Sequence, residues 1–170
     1  MKKRERRKQI KNWKQRSNWK VLTLSLFFVY LAAFIGSLFS VSSVNSSWYS
    51  SVRPSITPPN WVFPVVWNVL FFLIALSIYF SWMAAKNIKT KQKIIILFGI
   101  NLIINSIWSC LFFGLHAPLL AFIDLLLMLG SIIWLLVFTK KLSRKALWLL
   151  APYFFWVCFA GVLNAIIAFS

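Results

Sequence analysis

The sequence predicts an all-α integral membrane protein, a bundle of five transmembrane helices, on three observations. Long apolar runs follow one another with little charge inside them. Only Glu5 and Asp124 are acidic. The basic residues alternate between the ends of the runs. Of the 170 residues, 61% are hydrophobic and 12% charged, where a soluble domain carries about a quarter charged residues. Five runs are long enough to cross hydrocarbon: about 21–44, 61–85, 94–113, 118–139 and 146–169. Continuous runs, as opposed to every-second-residue alternation, exclude a β-barrel. A lone strand would leave its backbone unsatisfied in lipid. The chain therefore divides into a basic N-terminal arm, residues 1–20, and a five-helix membrane domain, residues 21–170, with a lid loop at about 45–60.

Ten of the 19 basic residues lie in residues 1–20 and one, Arg53, in the first connection. Four (Lys86, Lys89, Lys91, Lys93) lie in the second, none in the third, and four (Lys140, Lys141, Arg144, Lys145) in the fourth. Lys and Arg collect in cytoplasmic loops, so the N-terminus is expected inside, the C-terminus outside, and the first and third connections outside. The arm KKRERRKQIKNWKQR is read as a topogenic anchor on anionic lipid headgroups. It carries no groove-reading motif, so no nucleic-acid partner is expected. The first run is about twice the usual 7–15-residue apolar segment of a signal peptide and is read as a retained helix. A bacterial cytoplasmic membrane suits such a chain.

Enzyme machinery of the ordinary kinds is absent. There is no phosphate-binding loop and no dinucleotide fingerprint, and a single histidine, His116, cannot complete a Ser–His–Asp set. Cys110 and Cys158 have no metal-site spacing. No metal and no required cofactor are expected, and His116 reads as a solvated turn residue.

Polar groups within the spans point to the interior. Asn101, Asn105, Trp108 and Phe112 of the third span fall within a roughly 60° sector at about 100° per residue. Ser106, Cys110 and Gly114 form a small-residue stripe on the opposite face. Such stripes let helices approach closely, either within the chain or in a homodimer. In the fifth span Tyr153, Trp156, Ala160 and Asn164 share a face after Pro152. Trp67 and Phe71 stand one turn apart in the second. Asp124, the one carboxyl inside a span, reads either as a pocket acceptor or as an internal helix–helix hydrogen bond. An interfacial aromatic belt accounts for Trp13, Trp19, Trp82 and Trp148. Trp67, Trp108 and Trp156 instead suit a small-molecule pocket, apolar walls with a few convergent amides.

The first connection, SWYSSVRPSITPPNWVFPVVWNVLFF at 47–72, is too aromatic for a mere linker. Prolines 54, 58, 59 and 64 restrict φ and remove donors, which predicts an extended, stiff lid over the pocket mouth. Arg53 reads either as a solvated loop charge or as an attractor for a ligand carboxylate.

These strings carry a resemblance. WYSSVRPSITPP, VFPVVW, NLIINSIWSCLFF, AFIDLLL and APYFFWVCFAGVLN, in that order on successive spans, resemble the TspO/MBR family of tryptophan-rich sensory proteins, related to the mitochondrial translocator protein or peripheral benzodiazepine receptor. The resemblance covers about residues 48–168. It implies a five-helix bundle, often a homodimer, and binding of porphyrins and haem precursors, cholesterol-like lipids and benzodiazepine-type drugs for sensing, transport or stress regulation. By motif position the ligand-binding residues would be Tyr49, Pro58, Trp67, Phe71, Asn105, Ser109, Asp124, Trp156 and Ala160. Some bacterial relatives are reported to degrade protoporphyrin in light. The catalytic pair here would then be Trp67 and Trp156. A membrane scaffold without a small ligand is the remaining reading. Ile56 stands where the family's lid string has Trp, Asn68 where Thr is common, and no basic residue follows Tyr153 to complete the sterol motif of animal members.

Overall fold

The computed structural model describes the backbone of residues 2–170 and the side chains from residue 18 onward. The side chains of the basic arm before residue 18, Trp13 among them, lie outside the described residues. Helix α1 spans Lys2–Ser43, α2 Ser47–Val52, α3 Val62–Ala84, α4 Ile88–Ser109, α5 Pro118–Leu142 and α6 Arg144–Ala168. A π-helical turn, Cys110–Gly114, continues α4. Five segments are long and apolar enough to cross a membrane, Asn18–Ser43 within α1 being the first. The protein is an integral membrane protein of the expected helical class.

Local chemistry sets the boundaries. The Asn87 side chain accepts a hydrogen bond from the Thr90 amide at 2.8 Å and caps α4. Ser143 does the same for α6 through the Ala146 amide at 3.4 Å. Both are preferred N-cap residues. Pro118 opens α5 at a position where its missing N–H has no cost. The cap at Asn87 starts α4 six residues before the apolar run at 94, so Lys89, Lys91 and Lys93 ride on its first turns. Such lysines lay their methylenes along apolar surface and keep the ammonium in the headgroups; Lys91 Nζ sits 5.0 Å from the centre of the Trp82 ring.

The five long helices close a ring. α1 packs on α3 and α4, α3 on α6, α6 on α5, and α5 on α4. Large apolar side chains fill the half of the ring that carries the basic loops: Ile74, Ile94, Phe98, Met128, Ile132, Leu135 and Leu150 are buried. Ser77 Oγ donates to the Ala146 carbonyl there at 2.9 Å. The other half, beneath α2, is hollow.

The small-residue stripe of α4 is used inside the chain. Ser106 Oγ donates to the Ala32 carbonyl of α1 at 3.1 Å. A Cβ added to Gly114 would lie 3.0 Å from the Phe39 ring, and one added to Gly36 would lie 3.4 Å from Ser109 Oγ. Of the two readings of that stripe, intramolecular packing is the one the structure realises, because α1 occupies the face.

This close approach yields a prediction. Gly36→Leu forces α1 off α4 and should lower stability by about 1–3 kcal/mol, the usual cost of overpacking. Gly99→Ala, where an added Cβ meets nothing within 4 Å, should stay within about 0.5 kcal/mol of the parent. Thermal unfolding in one detergent compares them.

Candidate functional site

The hollow half is a cavity of about 820 Å³ bounded by α1, the lid, α3, α4 with its π turn, and α6. That volume lies within the roughly 300–1,000 Å³ of small-molecule sites. Its walls are aromatic rings whose planes are fixed by neighbours. Trp67 stacks on Phe71 at 5.3 Å between centroids and meets Tyr153 edge-on at 6.2 Å. Trp108 stacks on Phe112 at 5.2 Å. Its indole Nε1 donates to Asn164 Oδ1 at 3.0 Å, while Asn164 Nδ2 donates to the Pro118 carbonyl at 2.8 Å. Trp156 meets Phe63 edge-on at 5.8 Å.

The polar wall is made of neutral groups. Asn105 is buried, and its Nδ2 donates to Tyr153 Oη at 3.4 Å and lies 3.6 Å from Met128 Sδ. Its carbonyl oxygen accepts no hydrogen bond among the described residues. Ser109 stands one turn further on the same face. No lining residue carries a formal charge.

The π turn brings two consecutive rings to bear on the lid. Leu115 N–H reaches back to the Cys110 carbonyl at 2.9 Å, the i→i+5 closure. The extra residue rotates the chain, so that Phe112 and Phe113 both face the chamber and both pack against Tyr49. Such turns cluster at functional sites. The helical period of the sequence placed only Phe112 inward, and nothing in it marks a π turn.

The lid corrects the expected extended strip. Its first part is helix α2, begun by Ser46, whose Oγ accepts from the Tyr49 amide at 3.2 Å. The prolines come after it, and the chain stays irregular from Arg53 to Trp61. Arg53 is neither a free loop charge nor a ligand clamp. Its Nη1 donates to Asn60 Oδ1 at 3.0 Å, and its Nη2 to the carbonyls of Thr57 and Pro58 at 3.2 and 2.7 Å. The guanidinium thus staples the proline segment to α2, satisfying carbonyls that the prolines leave without a ladder. Asn60 Nδ2 extends the staple to Asn45 Oδ1 at 3.3 Å. At the other edge Trp48 stacks on His116 at 4.2 Å. His116 is exposed, as the sequence suggested, and holds a left-handed φ of 51°.

Of the nine residues proposed for ligand binding, the structure gathers Tyr49, Trp67, Phe71, Asn105, Ser109, Trp156 and Ala160 around one cavity, and leaves out Pro58 and Asp124. Pro58 contributes its carbonyl to the Arg53 staple. Asp124 is buried on α5, and α5 supplies no wall because α4 and α6 stand between it and the chamber. Asp124 Oδ2 has no hydrogen-bond partner in the described residues, so the helix–helix bond expected as the alternative is not formed by that oxygen either. The sequence reading missed Phe63 and Phe113, and the inner face of α1, where Ala33, Gly36, Ser37 and Ser40 line the cavity.

Residues 24–169 match the TspO/MBR family. The chain belongs to that family. It is 36% identical over 144 residues to the Tryptophan-rich protein TspO of Archaeoglobus fulgidus, covering 84% of this chain and 92% of that protein. It is 36% identical over 155 residues to the Protein CrtK of Rhodobacter capsulatus, covering 84% and 91%. To the human Translocator protein it is 32% identical over 136 residues, covering 79% and 80%. In this TspO/MBR member Arg53 braces the lid from within.

Two outcomes follow for that lid. Arg53→Ala should raise amide hydrogen exchange across residues 47–60 roughly tenfold or more, since hydrogen bonds to a charged group contribute about 1.5–3 kcal/mol. Burial raises the Tyr49 phenol above the ordinary tyrosine value, with the Arg53 charge opposing in part. The neutral phenol is therefore the form the closed lid holds. Its contribution is complete below the unfolded tyrosine pKa and is lost as pH rises through the higher folded value. Exchange measured on either side of that window should show an alkaline opening that Tyr49→Phe abolishes.

Proposed function

We propose that the protein binds tetrapyrroles, protoporphyrin and haem precursors, together with other flat hydrophobic ligands, in the chamber beneath the lid, for sensing, transport or stress regulation. One observation carries this reading: three indoles from three helices, Trp67, Trp108 and Trp156, stand around a single cavity of about 820 Å³ with Asn105 among them. Offset stacking of a flat aromatic ligand on such rings adds roughly 0.5–1.5 kcal/mol per pair. The free carbonyl of Asn105 is an acceptor suited to a pyrrole N–H. A ring system whose partners already fix its side chains loses little entropy when a ligand arrives.

The reading agrees with the names of the relatives, which are tryptophan-rich and translocator proteins. A scaffold without a ligand has no use for the hollow, because empty space forfeits the dispersion contacts of every atom that lines it.

Protoporphyrin titrated in the dark against the detergent-solubilised protein should quench tryptophan fluorescence saturably and raise the unfolding temperature, as any ligand preferring the native state must. Trp67→Phe should weaken binding roughly threefold to tenfold by reducing the stacked surface. Asn105→Ala should weaken it by a similar factor through one lost hydrogen bond, about 0.5–1.5 kcal/mol. A linear, non-saturating quench unchanged in both variants would rule out the chamber as the site.

A further inference from the structure

The cavity has two boundaries with the outside, and they are built differently. The lid is braced from within by the three donor bonds of Arg53 and the Asn60–Asn45 bond, and it meets the bundle through the Trp48–His116 stack and the packing of Tyr49 on Phe112 and Phe113. Its inner residues Tyr49 and Thr57 are buried, at 6% and 9% exposure. The seam between α1 and α3 is thin. Phe34 and Val41 of α1 line the chamber, yet are 60% and 74% exposed, and Asn68 of α3 is another lining residue that remains exposed. A side chain that bounds an inner chamber and stays so open to the outside is a wall one residue thick.

The composition of α1 explains the thinness. Its inward positions beside the cavity are Ala33, Gly36, Ser37 and Ser40. Gly36 faces Ser109 of α4, and Ala33, Ser37 and Ser40 are too small to interlock with the rings of α3, whereas lower down Val29 is fully buried and belongs to the main core with Leu70 and Ile74. One direct side-chain hydrogen bond crosses the seam among the described residues: Tyr30 Oη donates to the Asn68 carbonyl at 3.3 Å. That bond is long, and it lies at the foot of the opening. Seam and lid therefore differ in what opening costs. To open, the lid must lift as a braced unit and give up the Trp48–His116 stack and the packing of Tyr49 on Phe112 and Phe113, whereas the seam must break one neutral bond, loosen the tilted Tyr30–Phe71 contact and part small residues from a ring.

Resting on the proposal that the chamber holds a flat hydrophobic ligand, we infer that this ligand passes sideways between the bilayer and the chamber through the α1–α3 seam, with Tyr30 as its latch. The chemistry of the route agrees. A hydrophobic ligand is concentrated in the hydrocarbon that bathes the seam. The lining residues carry no charge to oppose that passage, and α1 can tilt away from α3 while its contacts to α4 at Ala32 and Phe39 hold the other side.

The test is kinetic. The full chain in lipid nanodiscs, with Cys110 and Cys158 replaced by serine, carries Tyr30→Cys and Asn68→Cys joined by a short bis-thiosulfonate bridge that dithiothreitol cleaves. Protoporphyrin binding and release are followed by stopped-flow tryptophan quenching. Bridging the seam should slow association and dissociation at least about tenfold, as locking a gate does, and cleavage should restore both. A second protein with the same serine replacements has its lid bridged through Trp48→Cys and His116→Cys, neither of which lines the cavity; it should change by less than about twofold. Tyr30→Phe alone should accelerate release roughly threefold to tenfold, the range of one neutral hydrogen bond. A slowed lid-bridged protein beside an unaffected seam-bridged one places the route past the lid and overturns the inference. Absence of saturable binding in the unbridged wild type is a separate result, which overturns the tetrapyrrole reading and the inference with it.

Discussion

Hydrocarbon offers a polar group nothing to bond with, and this constraint shapes the whole molecule. The backbone must close its own hydrogen bonds, which makes every span a helix. Side-chain amides and hydroxyls must turn inward and meet each other. The pairs that result cross the ring: Asn101 to Ser131, Asn105 to Tyr153, Trp108 to Asn164, Asn164 to Pro118, Ser77 to Ala146. They tie α3, α4, α5 and α6 at defined heights, and α1 joins through Ser106. Since apolar side chains gain no hydrophobic driving force from leaving lipid, these bonds and the close small-residue contacts must hold the ring closed.

A ring closed in this way need not be filled. In the lower half branched aliphatics of several helices meet and fill it. In the upper half Trp67, Trp108 and Trp156 are each packed against a neighbouring ring, which keeps them on the walls and out of the middle. Trp108 illustrates the point: its indole is pinned by Asn164 and stacked on Phe112, and both partners are themselves anchored. The π turn adds Phe113 to the same end, so that two rings support the lid where a regular helix would direct only one inward. The Arg53 staple completes the enclosure. It supplies donors to carbonyls that the prolines cannot satisfy, turning a stretch with no ladder into a stiff cap.

The corrections have a common cause. A helical period tells which residues share a face, but not which helix that face meets. Asp124 was open to two readings, a pocket acceptor or an internal helix–helix bond, yet α5 supplies no wall of the chamber and Oδ2 has no partner among the described residues. The Ser106–Gly114 stripe allowed either a packing partner within the chain or a second subunit, and α1 packs on it at Ser106 and Gly114. Arg53 was open to two readings, a solvated charge or an attractor for a ligand carboxylate, yet Asn60 and two carbonyls bring it into the lid. In each instance the missing information was the partner across the gap.

The amino-acid sequence alone determined the class, the number of spans, their approximate limits and the inward faces of α4 and α6, since those follow from hydropathy, cation placement and the 3.6-residue period, all local along the chain. Seven of the nine ligand-binding positions that the family resemblance implied also line the cavity. Only the tertiary structure decided the ring order, the hollow upper half, the π turn, the staple and the small-residue side of α1 that faces the chamber. These depend on contacts between residues far apart in sequence, where one helix's neighbour determines what the face of another does.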